Sequence, residues 1–486
     1  MSEADLRLFR SATFVVAAGL SAALIVIYPL FGVVSFADGS FFVLSILSPD
    51  PWTLAWASYP NRLSAFVLTI LPPFLAGRLT GSASFAVGLY GVIMASLPLA
   101  GLLATRLLED RGSSLSFWCA VSTIVLALSV AFFPTEMWLA HALVWPLLAY
   151  ATRRANVRTL PLAIFALVTA FVHEAAAPLV ALVLLNGYLV NREPRFLAVL
   201  TATVLPALIV KVAVRIPNAE IQRTVHENAL NFLSPDNLLN NISLTVVIGL
   251  VLLQALLLFR TPKTRAATLV MVASIVAVAA VIMVVWPGEP HVLRRYIART
   301  IVFCGLAAFL GLMLLFRLAE TLRPELAGRA GALFRRHQKT LALNLAIVVA
   351  VSAFGHAFEA ARFLFHWQAL EAVVAGPAPP AAALPKGVSL VFSDGSRTDG
   401  TAIAPQRGWP VAWDWSLPYQ SAVNLGEAGR DFIVVMPAAG FTPITCATIG
   451  AMDAERSLAP RARVDLLRRN ICRIEAAART TASRAP

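Results

Sequence analysis

NRLSAFVLTILPPFLAGRLTG, residues 61–81, is the stretch on which the reading of this chain turns. It is apolar enough to enter lipid, and a helical run of about 20 such residues spans a bilayer core. Pro72 and Pro73 interrupt its middle, removing two main-chain donors, and Gly77 and Arg78 stand near its end, so a straight spanning helix fits it poorly. If it crosses, its two flanks face opposite compartments. If it lies in the membrane interface, both flanks face the same one.

Charge elsewhere in the chain decides between the two. Of 486 residues, 58% are hydrophobic and 13% charged, mean hydropathy is +0.76, and long apolar runs recur through the first three quarters. This composition reads as an all-α polytopic membrane protein. A net charge of +13 raises the question of nucleic acid, but Arg and Lys sit mainly in short loops between apolar runs, the pattern of cytoplasmic membrane loops. The first apolar run is too long for a cleaved signal core and reads as a first span.

The most basic loop, FRLAETLRPELAGRAGALFRRHQK, is expected on the cytoplasmic side, so a span at 340–362 leads outward to the tail. Spans at 299–317, 266–286, 243–260, 196–214, 175–190, 159–173, 137–152, 115–133 and 84–106 put RTPKTR, NREPR, RRANVR and RLLEDRG inside as well. Residues 61–81 then read as an interfacial helix, which keeps the N-terminus cytoplasmic. The expected architecture is about 11 spans plus that helix over residues 1–362, followed by a small outward α+β domain over 363–486.

In the tail, AGPAPPAAALPKG reads as a semi-rigid linker. VSLVFSDG, FIVVMPAAG and TPITCATIG read as short strands, and VDLLRRNICRIEAAA as an amphipathic helix. Cys446 and Cys472 lie there, where an oxidising compartment would permit a disulfide, whereas Cys119 and Cys304 lie in apolar runs as packing residues.

The order of elements resembles the GT-C membrane glycosyltransferases: a first span, an outer loop with an acid and interfacial helices, a second span like FAVGLYGVIMASLPLAGLLATRLLEDRG, then a second outer loop with an acid. Asp38 and Glu136 match the two acidic positions. The resemblance covers about the first 200 residues and lies in layout more than in motif. No DxD or ExD pair stands in the first outer loop, so the metal-dependent members match less well, and no metal ligands are assigned. It implies a bacterial inner-membrane enzyme that transfers a sugar from a polyprenyl-phosphate donor to a glycan, lipid or protein acceptor on the periplasmic side. The lipid-linked sugar would be a substrate, and no cofactor is named by the residues.

Such transfer needs a carboxylate to deprotonate or orient the acceptor hydroxyl, and cations or hydrogen-bond donors around the departing phosphate. Asp38, in VVSFADGSFF, is the first candidate for the base, since an acid just beyond a span requires pairing or solvation; Asp-Gly is equally a turn pair. Glu136, in FFPTEMWLAH, is placed to assist it or to favour the positive end of a helix capped by Thr135. His173 and Glu174 stand between two very apolar runs and form a substrate-binding candidate, or a solvated hairpin turn. The loop WPGEPHVLRRYIART puts His291, Arg294, Arg295 and Tyr296 on the side where positive charge is scarce. Arginine forks suit the donor phosphate, and also suit anchoring to lipid headgroups. The aromatic GWPVAWDWSLPYQ reads as core or membrane belt before sugar platform.

Two other functions compete. A transporter or lipid flippase requires residues 63–80 to cross and lacks inverted repeats. A non-catalytic scaffold in envelope polysaccharide assembly would use the tail as its binding module.

Overall fold

The computed structural model describes residues 3–54, 62–154, 157–173, 175–213, 291–403, 408–413, 415–424, 431–436, 444–452 and 455–482, with the backbone alone at 291–301. The spans expected at 243–260 and 266–286 and the candidate Glu174 lie outside these residues. The chain is mostly helical. In order come α1 (Glu3–Phe31), α2 (Asp38–Leu47), α3 (Leu63–Thr80), α4 (Ala83–Leu108), α5 (Leu115–Val125) and α6 (Glu136–Ala151). They are followed by α7 (Thr159–Ala170), α8 (Ala176–Asn191), α9 (Arg195–Ala213), α10 (His291–Leu322) and α11 (Pro324–Ala375). Five helical stretches among the described residues are long and apolar enough to cross a membrane: Asp5–Phe31, Leu63–Thr80, Ala83–Leu108, Val302–Leu322 and Leu341–Ala375. The architecture is compatible with a helical membrane protein.

The bundle has two chemically distinct ends. At one, Arg153 donates to the Leu108 carbonyl at 2.5 Å, the Arg154 amide to Asp110 at 2.9 Å, and Asn191 to the Ala151 carbonyl at 3.1 Å. Arg192 reaches Thr321, and Arg317 donates to the Asn186 carbonyl at 2.8 Å. The loops RLLEDRG, RRANVR and NREPR and the last turns of α10 therefore gather together. The start of α1 joins them, with Phe9 edge-on to Phe117 at 5.5 Å. At the other end, the Tyr28 hydroxyl donates to the Ala131 carbonyl at 2.8 Å and the Trp367 indole to the Phe31 carbonyl at 2.6 Å.

This geometry places residues 62–81. Helix α1 ends, and α4 begins, at the end remote from the basic loops, so the chain between them leaves and returns to the same end. Gly77 of α3 lies against Ala86 of α4, while Phe66 and Ile70 face Tyr90 and Met94. Helix α3 thus runs antiparallel along the first half of α4, about 17 Å of that helix's roughly 38 Å. Its turn at Phe66–Ile70 is a π-helix, followed after Leu71 by Pro72 and Pro73. Two residues without an N–H cannot continue the regular i to i−4 ladder, so the bonding around them re-registers. Gly81 ends α3 in the left-handed region at φ 66, and Ser82 caps α4 by accepting from the Phe85 amide at 3.2 Å.

Among the described residues the elements depart from the sequence reading in several places, beginning with α10, which starts at His291 inside the stretch read as an outer loop, and α2, a helix within the first outer loop. The run at 115–133 does not stay helical: α5 stops at Val125 and a 3₁₀ turn covers Ala127–Val130, with Trp138 donating to the Ala127 carbonyl at 2.8 Å. Helix α11 runs unbroken for 52 residues, through the basic segment before 340 and across residue 363. The described part of TPITCATIG, 444–450, is not a strand: Thr445 accepts from the Thr448 amide at 3.1 Å and starts a helical turn, Cys446–Gly450, because the hydroxyl cap outweighs local β propensity.

The tail forms a three-stranded antiparallel sheet in the order β2 (Arg397–Asp399), β1 (Ser389–Phe392), β3 (Phe432–Val435), with Leu390 opposite Thr398 and Val434. It is joined by α12 (Leu417–Val423), α13 (Cys446–Gly450) and α14 (Arg461–Ala482). Cys446 and Cys472 form a disulfide. The sheet region packs on the bundle through aromatic rings: Trp413 lies 5.5 Å from Phe133, Trp415 is 5.4 Å from Trp413, and Tyr419 is 5.9 Å from Phe41. These rings are packing residues, as the sequence reading favoured.

Candidate functional site

The site lies where several helices begin. Glu136 is the first residue of α6, capped by Thr135, whose hydroxyl accepts from the Met137 amide at 3.4 Å. Asp38 is the first residue of α2, and Gly39 beside it sits so close to the Val34 carbonyl and Pro134 that no Cβ fits. The residue before it, Ala37, takes φ 52 and ψ −127, a conformation costly for a side chain and often found at functional sites. Asp38 is 8% exposed and Glu136 6%.

Arg62 joins the parts. Its guanidinium lies 2.9 Å from Glu136 Oε1 through one terminal nitrogen and 3.3 Å from His173 Nε2 through the other. The pair is shielded, with side-chain exposures of 15% for Arg62 and 7% for Glu136. His173 Nδ1 accepts from the Ala175 amide at 3.2 Å, and the Ser64 amide donates to the Phe171 carbonyl at 3.0 Å, tying the start of α3 to the α7–α8 turn. Arg62 and Glu136 line a small, partly open cleft between α3 and α4. Phe42, Phe66, Ile70 and Met94 make its apolar walls, and Thr69 and Tyr90 its remaining polar lining. Tyr90 lies within electrostatic reach of both Glu136 and Asp38.

Asp38, Glu136 and His173 therefore occupy one neighbourhood. His291, Arg294, Arg295 and Tyr296 occupy the first turns of α10. The Phe303 ring of that helix lies 5.3 Å from the His173 ring, which places Arg295 eight residues earlier, about 12 Å along the axis, toward the same end. His141, five residues past Glu136, is a buried packing residue whose Nε2 meets the Ser122 hydroxyl at 2.9 Å. Asp50 serves a turn by accepting from the Trp52 amide at 3.0 Å. Among the described residues no group of three or more His, Cys, Asp or Glu side chains is placed to hold a metal ion.

Sequence reasoning passed over Arg62. The signal was available, since it is a cation at the polar start of an apolar helix on the side assigned to be poor in positive charge. It also passed over the wrapping of α2. All ten α2 residues are buried, and the carbonyl of Leu47 accepts from the Leu458 amide at 2.8 Å and the Ser457 hydroxyl at 3.1 Å. Arg78 donates to the carbonyls of Ser48 and of Arg456, the latter at 2.6 Å. The helix that begins with Asp38 is thus closed off by the C-terminal region. No protein-family model, curated protein or solved structure matches the chain.

Proposed function

We propose that this protein is a membrane glycosyltransferase that moves a sugar from a polyprenyl-phosphate donor to a cell-envelope acceptor, working at the end of the bundle remote from the basic loops. The observation that carries the reading is a cleft lined by Glu136 and a shielded Arg62, with His173 on the arginine's other side and buried Asp38 at the start of α2 nearby. Transfer of this kind asks for that combination: a base for the incoming hydroxyl and cations for the departing phosphate.

Asp38 takes the proton of the acceptor hydroxyl as its oxygen bonds to the anomeric carbon. The bond from that carbon to the phosphate oxygen breaks, and the polyprenyl phosphate leaves with the electron pair. A single displacement inverts the anomeric centre. Arg294 and Arg295, with His291 and Tyr296, stand at the start of α10, where cations draw the phosphate-bearing donor to this end of the bundle. The basic loops gathered at the opposite end support a cytoplasmic face there, in a bacterial inner membrane, and a periplasmic face for the cleft and the C-terminal region.

Asp38→Asn tests the reading in a purified assay with a lipid-linked sugar. Loss of a general base lowers turnover by about 10² to 10⁴-fold. An undiminished rate removes Asp38 from the mechanism.

A further inference from the structure

We infer that Arg62 binds the anionic part of the substrate, an oxyanion of phosphate type, that Glu136 is the positioning residue that holds its guanidinium at the cleft, and that His173 marks the side from which the oxyanion enters. The polyprenyl carrier in this inference rests on the function proposed above, but the anion site itself rests on the geometry.

Glu136 does not have the surroundings of a second base. Its Oε1 is engaged by Arg62 at 2.9 Å, in a pair mostly withdrawn from water. Breaking such a pair to free a carboxylate leaves an uncompensated charge, so Glu136 acts as a fixed counter-ion. His173 holds the other side of the guanidinium less firmly. Both its ring nitrogens face N–H donors, Ala175 at Nδ1 and Arg62 at Nε2. A neutral imidazole has one lone pair to offer, so whichever tautomer forms, one of these contacts is not an accepted hydrogen bond. The contact with His173, at 3.3 Å, is the one an incoming oxyanion displaces, while Glu136 keeps the fork in place.

The field around Arg62 favours an anion despite the nearby acids. Asp38 and Glu136 each occupy the first turn of a helix, where the positive end of the macrodipole offsets their charge. Helices α3 and α8 begin at Arg62 and just after His173, and direct their positive ends to the same place. The cleft walls beyond Arg62 are mostly apolar, with Thr69, Tyr90 and Glu136 the polar exceptions, and the outer face of α3 exposes Leu63, Val67, Leu68, Leu75 and Leu79. A charged site beside exposed apolar side chains suits an amphiphilic phosphate, with its head at Arg62.

The test uses the full-length protein in detergent, titrated with dodecyl phosphate and separately with inorganic phosphate, and read by ³¹P NMR and calorimetry. Wild type is expected to bind dodecyl phosphate in a salt-dependent way. Arg62→Gln should weaken it about tenfold or more, Arg62→Lys less, because charge remains and the fork is lost. Glu136→Gln should weaken binding several-fold although it makes the cleft more positive, a direction that only positioning explains, and Glu136→Asp should restore part of it. Circular dichroism and elution volume confirm that each variant is folded, and Arg62→Lys carries the test if Arg62→Gln is not. Wild-type affinity in a folded Arg62 variant, or tighter binding in Glu136→Gln, overturns the assignment. Equal affinity for inorganic phosphate keeps Arg62 and overturns the lipid source. Asp38→Asn should lose turnover while still binding dodecyl phosphate, so failure of the base and failure of the anion site are separate results.

Discussion

At Gly101 a Cβ would stand 2.6 Å from the Ala142 Cα, so α4 and α6 meet there backbone to backbone. Gly101→Ala should lower stability by about 1–3 kcal/mol through overpacking, whereas Gly19→Ala, with nothing within 4 Å, should not; thermal unfolding in detergent compares them. Asp399 offers a charge test on the surface. Hydrogen bonds from the Ser389 hydroxyl at 2.5 Å and the Arg397 guanidinium at 2.6 Å hold its carboxyl below the usual aspartate range. Its contribution is therefore present above the ordinary carboxylate pKa and is lost as pH falls through the depressed value. An NMR titration of Ser389→Ala should show Asp399 moving up toward the ordinary range, and an unmoved value refutes the contact. Single residues also mark what sequence can reveal about the site. Asp38, Glu136 and His173 stood out because ionisable groups are scarce beside lipid-length apolar runs. Their junction did not, because Arg62 meets partners 74 and 111 positions away, and no local pattern encodes that contact.

Helices were legible where apolar runs were long and flanked by charge or caps. Ala83–Leu108, Glu136–Ala151 and Ala176–Asn191 lie within a few residues of their expected positions, for Ser82 and Thr135 cap two of them and NREPR follows the third. Reading failed where tertiary contacts or a single hydroxyl overrode the run. Helix α5 stops at Val125 inside a continuous apolar stretch, and Thr445 turns an expected strand into a helical turn. The tail's covalent tie belongs to this scale. Cys446 and Cys472 close a loop of 26 positions between α13 and α14, worth about 3.5 kcal/mol by the chain-entropy relation. The double variant Cys446→Ser, Cys472→Ser should lose stability of that order, and denaturant unfolding of the tail measures it. A midpoint unchanged by the double variant would mean the bond adds nothing to the fold.

For the molecule as a whole, the separation of a basic end from an acid-bearing end yields a labelling prediction. In a background with Cys119 and Cys304 replaced by serine, Ser84→Cys and Thr80→Cys should react with an impermeant thiol reagent from one side of the membrane, and Arg111→Cys from the other. Thr80 and Arg111 reacting from a common side would break the proposed arrangement. The wrapping of α2 carries a consequence in time. Leu47 leaves the ribosome 410 positions before its partner Ser457. At about 5–20 residues per second, that is a delay of roughly 20 to 80 s during which the early helix has no cover. Nascent chains therefore remain incompetent until synthesis is nearly finished, and a prematurely terminated product would be inert and exposed to quality-control proteases.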